Sequence, residues 1–174
     1  MTLRANQLAG IGAAIAEVRP LAAPADTLLH HFFRRHPAMG QHDRARIADA
    51  VFAYLRRRRS LETLAQTENP KKLALAVLVR ELGHSVRDLA PLVSAADAAW
   101  LAEFKSRLLT ELAPAVAADL PDWLWQRLGA AFGEDERIEL ARAWLAPASL
   151  DLRANPLKVT RDAARKALAA SGLD

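Results

Sequence analysis

Four consecutive arginines, Arg56, Arg57, Arg58 and Arg59, carry the densest chemistry in the chain, and Arg44 and Arg46 lie on the same stretch. A guanidinium is a planar fork of donors that can hold two phosphate oxygens at once, which a lysine point charge cannot. Four in a row at a helix end point in four directions, so local ion pairs cannot absorb all of them. The run is either a phosphate-binding patch or the solvated end of a core helix, and the two are compatible. Lys71 and Lys72 add a pair of cations behind Asn69-Pro70.

Charge distribution sharpens this reading. Residues 1–59 hold ten Lys and Arg against four Asp and Glu, a net of +6, whereas residues 60–174 hold 14 against 16. A basic front third predicts a polyanionic partner, of which nucleic acid is the commonest. Other chemistries find less support. The chain has no cysteine, which rules out disulfides, thiolate metal sites and thiol catalysis within it. His30, His31 and His36 lack the i, i+4 spacing of helical metal ligands, and Glu81 with His84 is a single E-x-x-H where carboxylate–histidine bundles need two. No glycine-rich phosphate loop and no Ser-His-Asp set can be read. No run approaches eighteen apolar residues, and Gln7, Glu17 and Arg19 break the faint signal-peptide likeness of the N-terminus. The expectation is a cytoplasmic protein with no membrane and no metal partner.

The elements that must position these cations read as helices. Ala, Leu, Arg and Glu are abundant and β-branched runs rare. Leu8, Ile11, Ile15 and Val18 mark a first helix ended by Pro20, and Pro24 opens a second that Pro37 stops. Asp43–Arg59 carries Ile47, Ala48, Val51, Tyr54 and Leu55 at helical spacing, with an early acid and late cations as the macrodipole favours. Ser60 is placed to cap a short continuation. Asn69-Pro70 starts a mostly buried helix ended by Gly83. Ser85 with Asp88 and Ser94 with Asp97 read as N-caps, the second opening a long helix through Leu112 that Pro114 interrupts. Pro121 opens another helix, ended by Gly133, on which Trp123 and Trp125 face different ways. Of these two, one is expected inward and the other against a neighbouring element. Glu134–Leu145 follows. Leu150–Asn155 then alternates apolar and polar residues as a half-buried strand does, and Thr160 caps a last helix, Arg161–Ala170. One strand and one helix are not a stable unit, because the strand's backbone needs partners. The sequence therefore reads as stopping partway into a mixed α/β domain, whose exposed strand could mediate self-association.

Leu120-Pro-Asp-Trp-Leu124, the Phe132-Gly133-Glu134 helix end and Leu150-Asp-Leu-Arg-Ala-Asn-Pro-Leu-Lys-Val-Thr-Arg161 together resemble the segment leading into the catalytic core of bacterial Sun/Fmu (Nop-type) ribosomal RNA cytosine-5 methyltransferases. Asp43-Arg44 through Val51-Phe-Ala-Tyr-Leu-Arg56 resembles the central helix of the NusB-like RNA-binding domain that precedes that core. The resemblance implies a mainly α chain: a NusB-like helical bundle over 1–118, a helical linker over 119–148, and the first β-α unit of a truncated α/β domain over 149–174. It implies the amino-terminal RNA-binding region of an S-adenosylmethionine-dependent rRNA or tRNA methyltransferase. Arg44, Arg46, Arg56 to Arg59, Lys71 and Lys72 would be its phosphate contacts. Arg153, Asn155 and Lys158 would serve RNA or hold the domain junction; the sequence does not choose. The other class is a standalone NusB-like factor that binds RNA or protein without enzymatic activity.

Family chemistry needs a cysteine thiolate that adds to C6 of cytosine before the methyl group moves. Neither that thiolate nor a cofactor loop is present, so S-adenosylmethionine would belong to a full-length parent. Isothermal titration of this chain with S-adenosylmethionine should show no saturable heat, and tritium transfer to unmodified ribosomal RNA should stay at background.

Overall fold

The computed structural model describes residues 3–146 and 151–172. Its first five helices are α1 (Ala5–Val18), α2 (Ala25–Arg35), α3 (Gln41–Arg56), α4 (Arg58–Ala65) and α5 (Pro70–Arg80). They are followed by α6 (Val86–Leu89), α7 (Ala95–Ser106), α8 (Pro114–Ala117), α9 (Asp122–Leu128), α10 (Glu134–Leu145) and α11 (Arg161–Ala170).

α5 is the hub. Every residue from Leu73 to Leu78 is buried, so this helix has no solvent stripe over its middle. A helix apolar all round must be enclosed, and α1, α3, α4 and α7 enclose it. Asn69 starts it, its side chain accepting from the backbone N–H groups of Lys71 and Lys72, which satisfies two of the donors a helix start leaves open. At the α1–α5 contact α1 presents Gly12 to the start of α5. A Cβ on Gly12 would stand 3.5 Å from Lys71 Cα, in ordinary contact with backbone. Ile11, Ile15, Val51, Tyr54, Leu61 and Phe104 complete a core that runs from Leu3 to Phe104. A second, smaller cluster joins Ala118, Leu120 and Ala141, with Leu124, Trp125 and Leu128 packed on it.

Several expectations need correction. The strand over Leu150–Asn155 is absent: Leu150 lies outside the described residues, 151–155 form no regular structure, and no strand occurs among the described residues. The alternation is real, but alternation makes a strand only where a neighbour supplies ladder hydrogen bonds. Instead Leu152 is exposed and Leu157 is 94% exposed. Among the described residues the chain is mainly helical, without the expected β-α unit. The Ser94 helix stops at Ser106, with a 3-10 turn at Leu109–Glu111, so Leu108 and Leu112 are outside it. Gly133 does not end the Pro121 helix, which stops at Leu128; it sits at the N-cap of α10, its N–H donating to Glu136 at 2.9 Å. Trp123 is 65% exposed, while Trp125 packs in the small cluster beneath the Arg137 guanidinium, 4.3 Å from its ring centre. Ser60 caps nothing; it is buried inside α4.

Gly12→Ala should be neutral or stabilising by up to about 1 kcal/mol, since alanine is the better helix residue. Gly12→Leu must push α1 off the α5 backbone and should cost about 1–3 kcal/mol or more. Urea unfolding of both variants reads the difference; equal midpoints would mean the helices do not meet there.

Candidate nucleic-acid interface

The arginine run does not finish one helix. It straddles a break: α3 ends at Arg56, Arg57 leaves helical geometry (φ −115°, ψ 21°), and α4 starts at Arg58. This reverses the electrostatics read from sequence. Arg58 and Arg59 stand in the first turn of a helix, beside its positive dipole end, and that turn contains no acid of its own. The acids come from elsewhere in the chain.

Asp119 is the most consequential of them. It accepts from the Ser60 backbone N–H at 2.8 Å and from the Ser60 hydroxyl at 2.7 Å. An N-cap side chain normally makes the first of these bonds from the residue just before the helix; here it arrives from 59 positions along the chain. The Asp119 side chain is only 2% exposed, and Arg57 lies 3.9 Å away. Burial pushes its carboxyl above the usual range, and the Ser60 donors and the Arg57 charge pull back without winning. The residue adopts φ +55°, a left-handed conformation that Asp and Asn tolerate better than most.

Each predicted contact can now be placed. Arg57 also faces Glu81 at 3.4 Å, Arg58 holds Glu62 at 3.2 Å, and Arg59 donates to the Leu120 carbonyl and to Asp122 at 2.6 Å. Three of the four are thus tied to acids. Arg56 is exposed and without a partner among the described residues. Arg44 donates to the Met39 carbonyl at 2.9 Å and lies over Phe33, and Arg46 reaches Gln7 at 3.3 Å. Lys71 pairs with Asp97 at 2.6 Å, and Lys72 lies 5.1 Å from the Trp100 ring centre. Arg153 and Lys158 are exposed. Asn155 builds its own turn: its side chain accepts from Leu157 N–H at 3.0 Å and its carbonyl from Lys158 N–H at 2.9 Å. The structure therefore brings Arg56 to Arg59 together at one junction and leaves the other positions apart from it.

Glu62 anchors the same region. It accepts from Tyr54, and from Arg19 at 2.9 Å. Burial raises its carboxyl, but those hydrogen bonds and the Arg58 charge outweigh burial and hold it below the usual range. Burial and the Glu62 contact together raise the Tyr54 phenol. Sequence reasoning missed Asp119 and Asp122, and it missed Arg142 of α10, which lines a crevice with Arg56 and Arg57. The acid in the short turn before Leu120-Pro121 was the available signal for Asp119; no local pattern pointed to the others. Among the described residues no three potential metal ligands converge, and no helix is long and apolar enough to cross a membrane.

Comparison with known proteins gives one match: the family model described as Methyltr_RsmF/B-like, ferredoxin-like domain covers residues 120–174. The match begins at Leu120, whose carbonyl Arg59 holds. No curated protein and no solved structure matches.

Asp119→Asn keeps an acceptor for Ser60 and tolerates the left-handed backbone, whereas Asp119→Ala loses both and should cost about 2 kcal/mol or more. The folded state holds the Asp119 proton more tightly than the unfolded chain does. Its contribution is therefore fully present below the ordinary aspartate range and falls as pH rises through the raised folded value. Urea unfolding of wild type and Asp119→Asn across acid to neutral pH should show wild type losing ground over that window. A pH-independent difference would mean that the carboxyl is not perturbed.

Proposed function

We propose that this chain is the RNA-recognition region of an S-adenosylmethionine-dependent ribosomal RNA cytosine-5 methyltransferase. The observation that carries the reading is the family match over residues 120–174. The net +6 of residues 1–59 supports it, because a protein that positions a ribosomal RNA for base chemistry must first neutralise phosphates. In this reading residues 1–118 are a NusB-like RNA-binding domain, 119–148 a helical linker, and 149–174 the start of the methyltransferase domain. The family match favours this over a standalone NusB-like factor.

The ion pairs divide labour among the nominated cations. Arg57, Arg58 and Arg59 hold the junction, because their guanidinium groups already meet Glu81, Asp119, Glu62 and Asp122. Arg56, Arg153 and Lys158, exposed and without an acid partner, are the better phosphate contacts. Arg44, Arg46, Lys71 and Lys72 supply background positive potential around the front third. S-adenosylmethionine would be held by a separate catalytic domain, and the cell compartment of such an enzyme is the cytoplasm.

Fluorescence anisotropy with labelled ribosomal RNA hairpins, between low and physiological salt, tests the reading. Binding should weaken linearly on a log–log plot. Replacing Arg153 and Lys158 by Gln should make the slope shallower by roughly 0.7–0.9 per lost contact, equally for unrelated sequences. No binding at low salt, or binding indifferent to salt, would overturn it.

A further inference from the structure

The contacts described above leave one cavity system unexplained. Between the bundle and α10 lies a crevice with two adjoining halves. One, of about 360 Å³, is lined by Arg56, Arg57, Glu81 and Arg142 among others. The other, of about 380 Å³, is mainly aliphatic, with Leu109, Leu112 and Ile138 on its walls. Arg57, Arg142 and Leu145 line both, so the halves share a wall. Each has the size of a small-ligand site.

Charge in the polar half is unbalanced. Three guanidinium groups face one carboxylate, and Arg57 already holds that carboxylate at 3.4 Å. Arg56 and Arg142 have no partner among the described residues, yet they approach the same space from α3 and α10. Helix ends offset part of this. α5 and α10 both finish here, and each C-terminus carries roughly −0.5 of a charge, while that of α3 is countered by the start of α4. Arg57 is answered by Glu81 and Asp119, so Arg56 and Arg142 are the two cations here that no acid meets, and a phosphodiester would supply them an anion. Two planar forks on facing elements suit its two free oxygens.

We infer that this crevice seats one unpaired RNA nucleotide, with its phosphate between Arg56 and Arg142 and its base in the aliphatic half against Leu109, Leu112 and Ile138. The inference rests on the RNA-binding reading and adds a preference to it. A stacked, paired base cannot enter a slot of this size, whereas a bulged or loop base can be splayed into it. The seat also spans the two parts of the chain, since Arg56 precedes the family-matched segment and Arg142 lies within it. Bound RNA would thereby bridge the junction that Asp119 and Arg59 hold.

The test uses two RNA probes of equal length, a perfect duplex and the same helix with one bulged 2-aminopurine. Wild type should bind the bulged RNA at least about tenfold more tightly, the size expected for one charge-assisted contact and a buried base. Its 2-aminopurine emission should rise as the base leaves the stack. R56Q/R142Q should abolish the preference, bringing bulged and duplex RNA to one common, weaker affinity, while leaving thermal unfolding unchanged, since neither arginine holds a partner among the described residues. L109Q, at an exposed position, should remove the emission rise and keep the salt slope. Equal binding of the two probes, or a preference that survives R56Q/R142Q, overturns the seat and leaves the RNA reading standing. Failure to bind either probe overturns both.

Discussion

One carboxylate decides how the turn before α9 meets the start of α4. Asp119 occupies the place of a missing N-cap on α4, reaching the Ser60 N–H and hydroxyl from a distant turn. The need for it follows from the break at Arg57. A helix restarted in mid-sequence presents unsatisfied N–H groups and a positive dipole end, and here it also places two arginines in that first turn. Without an acid from outside, buried donors and like charges would accumulate at one point. Because Asp119 is buried in supplying that acid, its own carboxyl is destabilised as an anion, and the junction trades one electrostatic cost for another.

Around this contact the arginines act as connectors before they can act as ligands. Arg57 links α3 to Glu81 behind α5 and to Asp119, and Arg59 ties α4 to Leu120 and Asp122 at the start of α9. Exposed ion pairs of this kind contribute little singly. Here they converge on a buried carboxylate and on backbone groups, so they fix orientation more than they add stability. The charge left over, on Arg56 and Arg142, faces the crevice between the bundle and α10. A basic run thus separates into a structural part and an available part, a division that its spacing alone could not reveal.

The apolar framework is simpler in origin. α5 is buried along its middle because its residues offer no polar face, and α1 lies against it with Gly12 facing Pro70 and Lys71. The smaller cluster has only Ala118, Leu120 and Ala141 buried, with three partly buried side chains packed on them, and none of residues 151–172 is buried. The family-matched segment, residues 120–174, therefore contributes contacts at its beginning and little packing towards its end.

The sequence by itself determined the local helical elements. Helical spacing of Leu8, Ile11, Ile15 and Val18, the caps at Ser85, Ser94 and Thr160, and the stops at Pro20 and Pro37 all act within a few residues of one another. Such short-range rules hold regardless of the rest of the fold. Tertiary structure alone decided the rest. Helix continuity across Arg56–Arg59 looked secure until the Asp119 contact made a break at Arg57 affordable. The alternation of Leu150–Asn155 satisfied the strand pattern, yet a strand exists only with a neighbour to bond, and no strand occurs among the described residues. Partnership of Arg57 and Arg59 depended on acids 24 to 63 positions away. Charge and periodicity travel with the residue, whereas a hydrogen-bond partner is a property of where the chain returns.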